Sequence, residues 1–345
     1  MNFDGAMRGF DDAYIEAPHL RAGDRKAFSQ MDLARRLDNQ AEIQAFICWN
    51  INPAASSPEQ KRLRRALSRD DLFTVVCDLF QTDTADFADI VLPAASFLEF
   101  DDLVTSYFHW TIAPQVKAQE PIGDSLPNQE IFRRLARAMG YEDPELYESD
   151  LAIIEHLLDG TPFKGGFEAL KRVGTVFITS EPILQFPDLK FPTPSGKIEL
   201  SSARAEADGH PRLPQPLADP RPAPGRLRLL TPASRWLMND SYANAPRIAK
   251  EMGPATVTLH PEDAADLGFI EDQEVVLFND SGEIVLLLKL SAEVPRGVAL
   301  SPKGRWPKLE KSLSNVNVLN PGAKTDMGES SSVHGIEIAI KPLPA

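Results

Sequence analysis

Two short stretches carry the residue types from which a nucleotide site can be built. Asn50-Ile51-Asn52-Pro53 and Asp78-Leu79-Phe80-Gln81-Thr82-Asp83-Thr84-Ala85 each follow an apolar run. A carboxylate just past a strand, such as Asp78, can accept two hydrogen bonds from a ribose or from a guanine edge. Hydroxyls at Thr82 and Thr84, near a helix start, suit a sugar or a phosphate. In a doubly wound sheet, ligands sit beyond the carboxyl ends of the strands, where such residues would lie. Asp, Thr and Asn are equally ordinary cap and turn residues. Taken by themselves, the residue types leave both readings open.

Other sets are weaker. Asp83, Asp86 and Asp89 recur at a spacing of three and resemble a metal cluster, but a solvated Asp86 and an Asp89 bonded to loop backbone is the plainer reading. Asp101, Asp102 and His109 match an acid–base set in composition only. His109 follows Tyr107-Phe108, as a packing histidine does. His260 precedes Pro261 and reads as a helix cap. The 6 histidines show no metal-ligand spacing. Cys48 and Cys77 sit in apolar runs and cannot supply the thiolates of an iron–sulfur cluster. Two buried, reduced thiols are expected. No catalytic residue and no metal ligand is assigned. No Gly-rich phosphate loop of the G-x-G-x-x-G or G-x-x-x-x-G-K-[ST] type occurs, which argues against an unrelated nucleotide-binding transferase.

The elements that must position these residues begin near Ala45. A helix is expected around Phe28–Leu37. Ala45–Trp49 is wholly apolar, like a strand buried on both faces. Ser57 reads as an N-cap with Pro58 at the first helical position, and the helix runs to Leu67. Leu72–Cys77 and Ile90–Pro93 follow as strands, and Asn128 caps a helix through Ile131, Leu135 and Met139 that Gly140 closes. Strands separated by helices argue for a parallel, doubly wound sheet. Between 206 and 225, Pro211, Pro214, Pro216, Pro220, Pro222 and Pro224 mark a linker. Beyond it, Leu227–Leu230, Thr256–Leu259, Glu274–Phe278, Ile284–Leu290 and Val298–Leu300 read as strands. Asn279-Asp280-Ser281-Gly282 reads as a hairpin turn. Short strands with one small helix suggest a compact β-barrel.

The order of these residues resembles a family signature. Phe73 through Ala94, with Asp78, Phe80, Thr82, Thr84-Ala85, Ala88-Asp89 and Val91-Leu92-Pro93, is similar to a block of the prokaryotic molybdopterin oxidoreductases, the dimethyl-sulfoxide-reductase superfamily. Asn52-Pro53 matches its Asn-Pro turn, Thr193-Pro194-Ser195-Gly196-Lys197-Ile198-Glu199 its "T-P-S-G-K-I-E" segment, and residues 227–341 its C-terminal dinucleotide-binding domain. There Leu230-Thr231-Pro232 opens the domain, Val257–Gly268 follows the "I-N-P-x-D-A-x-x-L-G" pattern, and Val316–Leu319 matches near the end.

The resemblance implies an α/β fold: an incomplete doubly wound parallel-sheet domain over residues 1–205, the linker 206–225, and a double-psi-like β-barrel over 226–345. It implies molybdopterin guanine dinucleotide in its bis form, with molybdenum or tungsten held through a missing half and no iron–sulfur cluster in this chain. By position, Asn52, Asp78, Thr82 and Thr84 would line one nucleotide site, and Thr231, Ser234, Asn239, Asn244 and Asn317 would reach the cofactor from the barrel. The Cys-rich segment and the metal-ligating segment of the family are not recognisable here. The expected function is therefore the cofactor-binding portion of a molybdenum-dependent oxidoreductase performing two-electron chemistry on a small substrate. The rival is a non-catalytic cofactor-binding subunit completed by a partner chain. Expected partners are the cofactor and substrate, a missing N-terminal half or partner subunit, and an electron-transfer protein. Part of the sheet should be absent, leaving exposed apolar surface.

Bulk properties agree. The 345 residues suffice for two domains, and 43% hydrophobic with 25% charged residues is a globular balance. A net charge of −14 disfavours nucleic acid and anionic membrane surfaces as partners. No apolar run is long enough for a membrane span, and the start Met1-Asn2-Phe3-Asp4-Gly5 carries no leader features. A cytoplasmic location is expected, or a periplasmic one if a signal lies on a missing N-terminal part.

Overall fold

Apolar, β-branched runs bounded by Asn, Asp and Gly become strands in the computed structural model, which describes residues 9–21, 23, 26–106, 108–179, 181, 184–216 and 221–344. The expected leaderless start, Tyr107, and residues 217–220 of the Pro-rich stretch lie outside the described residues. By contacts the chain divides into Met1–Lys26 with Leu92–Leu200, and Ala27–Val91 with Ser201–Ala345.

Strands β1 (Ala45–Trp49), β2 (Phe73–Asp78) and β3 (Ile90–Pro93) form a sheet in that order, and the chain passes from one unit to the other within β3. β1 and β2 are parallel, with Ala45 opposite Phe73 and Trp49 opposite Cys77. Leu33 and Leu37 of one helix and Leu63, Ala66 and Leu67 of helix Gln60–Leu67 pack together with Phe46, as i, i+3, i+4 spacing dictates. Cys48 and Val76 are also buried on that face. On the other face Ile47 is 65% exposed, Trp49 51% and Phe73 50%. The expectation that β1 is covered on both faces is thus corrected, because helices cover only one. The apolar surface expected of an incomplete sheet is present.

Ser57 is a second correction. It does not cap a helix: Pro53–Ser56 forms a short helical turn ended at Ser57, and Glu59, at φ 50°, precedes helix Gln60–Leu67. Asn128 is likewise the first residue of helix Asn128–Ala138, and Pro127 occupies the cap.

The first unit holds an antiparallel sheet that the sequence did not announce: β4 (Asp102–Thr105), β5 (Thr111–Gln115) and β6 (Val176–Phe177). Ile112 packs there with Ile154, Leu158, Phe167 and Leu170 of two helices, Asp150–Asp159 and Gly166–Val173.

The barrel is built from β7 (Leu227–Leu230), β8 (Thr256–Leu259), β9 (Glu274–Asn279), β10 (Gly282–Leu290), β11 (Val298–Leu300) and β12 (Glu337–Pro342). It closes in the order β10-β8-β11-β7-β12-β9 and mixes parallel with antiparallel pairs. Alternate residues point inward, as period-2 strands require: Ile284, Leu286 and Leu288 of β10 meet Leu229, Val257, Leu277 and Ile338. The Asn279–Gly282 turn forms as expected, with Asn279 Oδ1 accepting from the N–H of Ser281 and Gly282. Gly282 is obligatory, since a Cβ there would stand 2.7 Å from Val318 Cγ2 and 2.8 Å from its carbonyl. β12 was not foreseen as a separate strand, yet it closes the barrel.

Candidate functional site

The loops after β1 and β2 are locked together by their own polar groups. Asn52 is 4% exposed; its Oδ1 accepts from the backbone N–H of Thr84 (3.1 Å) and from Thr84 Oγ1 (2.8 Å). Thr84 Oγ1 in turn accepts from Ala54 N at 3.0 Å. Thr82 Oγ1 accepts from Ala85 N, as a cap would. The structure therefore brings Asn52, Thr82 and Thr84 together, with much of their hydrogen-bonding capacity used within the protein. Asp78 is half-buried and its Oδ1 accepts from Phe80 N at 3.2 Å. Burial pushes its carboxyl pKa up, against the N–H groups of Phe80 and Leu79.

Asp83 was set aside with a dubious metal cluster, yet it is 1% exposed and bonded on both oxygens. Oδ1 accepts from the backbone N–H of Lys308 (2.8 Å) and Oδ2 from Asn52 Nδ2 (3.4 Å). Lys308 Nζ also donates to Gln81 O at 2.6 Å and pairs with Asp86 at 2.7 Å. Asp89 bonds backbone as expected, accepting from Thr74 N. Among the described residues, no group of three or more His, Cys, Asp or Glu could hold a metal.

The barrel candidates divide among three cavities. Thr231, Asn239 and Asn317 share one of about 230 Å³. Ser234 lies in a neighbouring hollow of about 180 Å³, its Oγ accepting from Trp236 N. Asn244 lines a third, of about 770 Å³, alongside Met252, Leu286 and the Arg305–Glu310 ion pair. The smaller first cavity has the richer chemistry. It also contains Ser57, Asp240, Lys303 and Asn320, none of which the sequence singled out as site residues. Ser57 is 3% exposed and its Oγ has no hydrogen-bond partner among the described residues. A buried hydroxyl without a partner costs about 1–3 kcal/mol, and it suits a ligand oxygen. Lys303 makes no ion pair with another described residue. One cation, one orphan hydroxyl and several amide side chains fit an anionic, oxygen-rich group such as a dinucleotide tail.

Other expectations find their places. His260 caps helix Pro261–Asp266, its Nδ1 accepting from Glu262 N. His109 Nδ1 meets Thr111 Oγ1 at 2.7 Å. Cys48 and Cys77 are buried, and burial, with the nearby Asp78 charge, pushes the Cys48 thiol up to about 12. It is a packing group rather than a nucleophile. Among the described residues, no helix is long and apolar enough to cross a membrane.

A parallel sheet with loops converging at its carboxyl ends, joined to a closed six-stranded barrel with a polar cavity, defines a class of dinucleotide-binding α/β–barrel proteins. The family model described as molydopterin dinucleotide binding domain matches residues 227–336, and the one described as molybdopterin oxidoreductase matches 16–138. The chain belongs to the molybdopterin oxidoreductase family. The Bacillus subtilis (strain 168) protein named "Probable oxidoreductase YoaE" is 34% identical over 95% of this chain and 48% of its own. Acetylene hydratase of Syntrophotalea acetylenica is 29% identical over 76% of this chain and 37% of its own. The solved acetylene hydratase from Pelobacter acetylenicus shares the fold, with a TM-score of 0.77 at 21% identity, over 90% of this chain and 46% of that one. The chain thus spans about half, or less, of the length of these relatives.

Proposed function

We propose that this chain is the molybdopterin guanine dinucleotide-binding portion of a molybdenum- or tungsten-dependent oxidoreductase acting by two-electron chemistry on a small substrate. The observation that carries the reading is the cavity beside the barrel, where Lys303 and the orphan Ser57 hydroxyl stand with Thr231, Asn239 and Asn317. Asn52, Asp78, Thr82 and Thr84 are proposed as the second set of contacts, with Asn52 and Thr84 acting chiefly by fixing the loop. Ser234 and Asn244 are proposed to reach the cofactor from the barrel side. When bound, the bis-dinucleotide cofactor supplies a redox-active metal. This chain's residues bind and orient the tails by electrostatics and hydrogen bonds. The accompanying domain division is 1–205, 206–225 and 226–345.

A second reading is favoured by the exposed face of Ile47, Trp49 and Phe73. On it the chain is a non-catalytic cofactor-binding subunit whose partner covers that face and supplies the metal ligand, with electrons passing to a further protein. Both readings share the nucleotide site, which guanosine diphosphate can probe as a stand-in for the tail. An Asp78→Ala variant should bind it about ten- to a hundredfold more weakly, the loss of roughly 1.5–3 kcal/mol from hydrogen bonds to a charged acceptor. If Asp78 only stabilises its turn, the variant loses about 1 kcal/mol of stability and keeps its affinity.

A further inference from the structure

We infer that Asp240 is a specificity-determining residue of this nucleotide site, its carboxylate receiving a paired N–H or O–H donor edge of the bound nucleotide. The inference rests on the dinucleotide-binding reading above and adds to it a residue and the part of the ligand that residue reads.

The backbone around Asp240 is held in an unusual state. Asn239 at φ 55° and Tyr242 at φ 74° both adopt the left-handed region without being glycine. Such conformations are costly for residues that carry a Cβ and persist only where the surroundings enforce them. Gly304 supplies part of that enforcement: a Cβ there would lie 2.0 Å from the Asn239 carbonyl oxygen, so the two backbones touch. Trp306, 6% exposed and packed with Ala55 and Leu237, donates from Nε1 to the Asp240 carbonyl at 2.8 Å. The turn is therefore fixed through its main chain, and Asp240 lines the cavity with Ser57 and Lys303.

The charges around that side chain select the ligand. Asp240 forms no ion pair with another described residue; its neighbours are the Asp78 and Asp83 carboxylates and the Asn52 amide. Burial, reinforced by both carboxylates, pushes its pKa up, against its own backbone N–H and Asn52. A uniformly anionic ligand would be repelled here, and a cationic one would be repelled by Lys303. A ligand that is anionic toward Lys303 and carries neutral donors toward Asp240 satisfies both, and nucleotides have that build. The 97%-buried Ser57 hydroxyl in the same cavity points independently to a ligand, since none of the described residues satisfies it. The donor edge has two sources, a ribose diol or the amino–imino edge of a purine.

The test is calorimetric titration of the full chain with guanosine diphosphate, its 2′-deoxy analogue and inosine diphosphate. The unaltered protein should discriminate against one analogue: the deoxy form if the diol is read, the inosine form if the base edge is. Asp240→Asn should weaken guanosine diphosphate about tenfold or more and erase that preference, as loss of a charge-assisted bond requires. Lys303→Met should weaken all three equally. Asp240→Ser keeps the carbonyl that Trp306 holds and replaces the Asn variant if that one melts early. Affinities and preferences unchanged in both Asp240 variants, while Lys303→Met loses binding, would overturn the role of Asp240 and leave the site standing. Failure of the unaltered protein to bind any of the three would overturn the site reading and this inference with it.

Discussion

Removing the Asn315 amide should be among the most damaging single changes in the barrel unit. Asn315 is 3% exposed and uses its whole amide. Nδ2 donates to Ala55 O (2.8 Å) and Arg305 O (2.6 Å), while Oδ1 accepts from Gln60 Nε2 (3.1 Å) and Asn317 N (2.9 Å). In Asn315→Ala the Ala55 carbonyl keeps the Asn317 Nδ2 donor. Arg305 O and Gln60 Nε2 lose the partners named here, and Gln60 is only 1% exposed. At about 1–3 kcal/mol for each of these two groups left without a partner, the loss should be about 2–6 kcal/mol. That is a large part of the roughly 5–15 kcal/mol a domain has. Asn315→Asp keeps the shape but sets a carboxylate against two carbonyl oxygens, so it should cost more than Ala at neutral pH. Its folded pKa would be raised, so its deficit should shrink as pH falls through that value, when a proton restores one donor. Urea unfolding reads both as shifts in midpoint at constant slope. An Ala variant within about 1 kcal/mol of the unaltered protein, or an Asp variant no worse than Ala, refutes the accounting.

Three further outcomes are expected. Lys308→Met removes the clasp on Gln81 O and Asp86; discounting the half-exposed Asp86 pair, it should cost about 2 kcal/mol in urea unfolding, with Lys308→Arg recovering part. Asp263 is buried, which raises its pKa, but the Gly297 N–H and Arg296 outweigh that and hold it below its ordinary value. A depressed carboxyl stabilises above its unfolded value and loses that contribution as pH falls through the folded one. Acid unfolding should therefore set in below about pH 4 and be less steep in Arg296→Met, and identical acid profiles would count against the clamp. Limited proteolysis should cut first within 206–225, the proposed sequence boundary, where prolines prevent regular structure; first cuts within 255–300 would defeat that division.

What the sequence made legible was set by how local each signal is. β1, β2 and five strands of the barrel could be read because apolar runs and alternation announce themselves within a few residues. β5 hid because Pro114 lies inside it, and a proline demotes a strand when only sequence is seen. Ser57-Pro58 looked like a helix start, but Asn52-Pro53 had already started a turn five residues earlier, and the chain could not use both. The exposed face of β1 cannot be told from a covered one by composition, since Ile47 and Trp49 are apolar in either case.

The same limit explains the site. Asn52, Asp78, Thr82 and Thr84 were visible because they end strands. The clasp on the loop that holds Thr82 and Asp83 comes from Lys308, more than two hundred residues after Asp83, and no local pattern carries such a contact. Knowing the clasp also changes which residues matter. A side chain that already bonds its neighbours, as Asn52 and Thr84 do, has less to offer a ligand than its residue type suggests. Groups that the fold has desolvated have more: the Ser57 hydroxyl, which has no hydrogen-bond partner among the described residues, and the carboxyls of Asp78 and Asp240, whose pKa values burial raises. The free energy left unspent there is what a bound nucleotide would recover, so these three positions, rather than the better-bonded Asn52 and Thr84, should dominate its affinity.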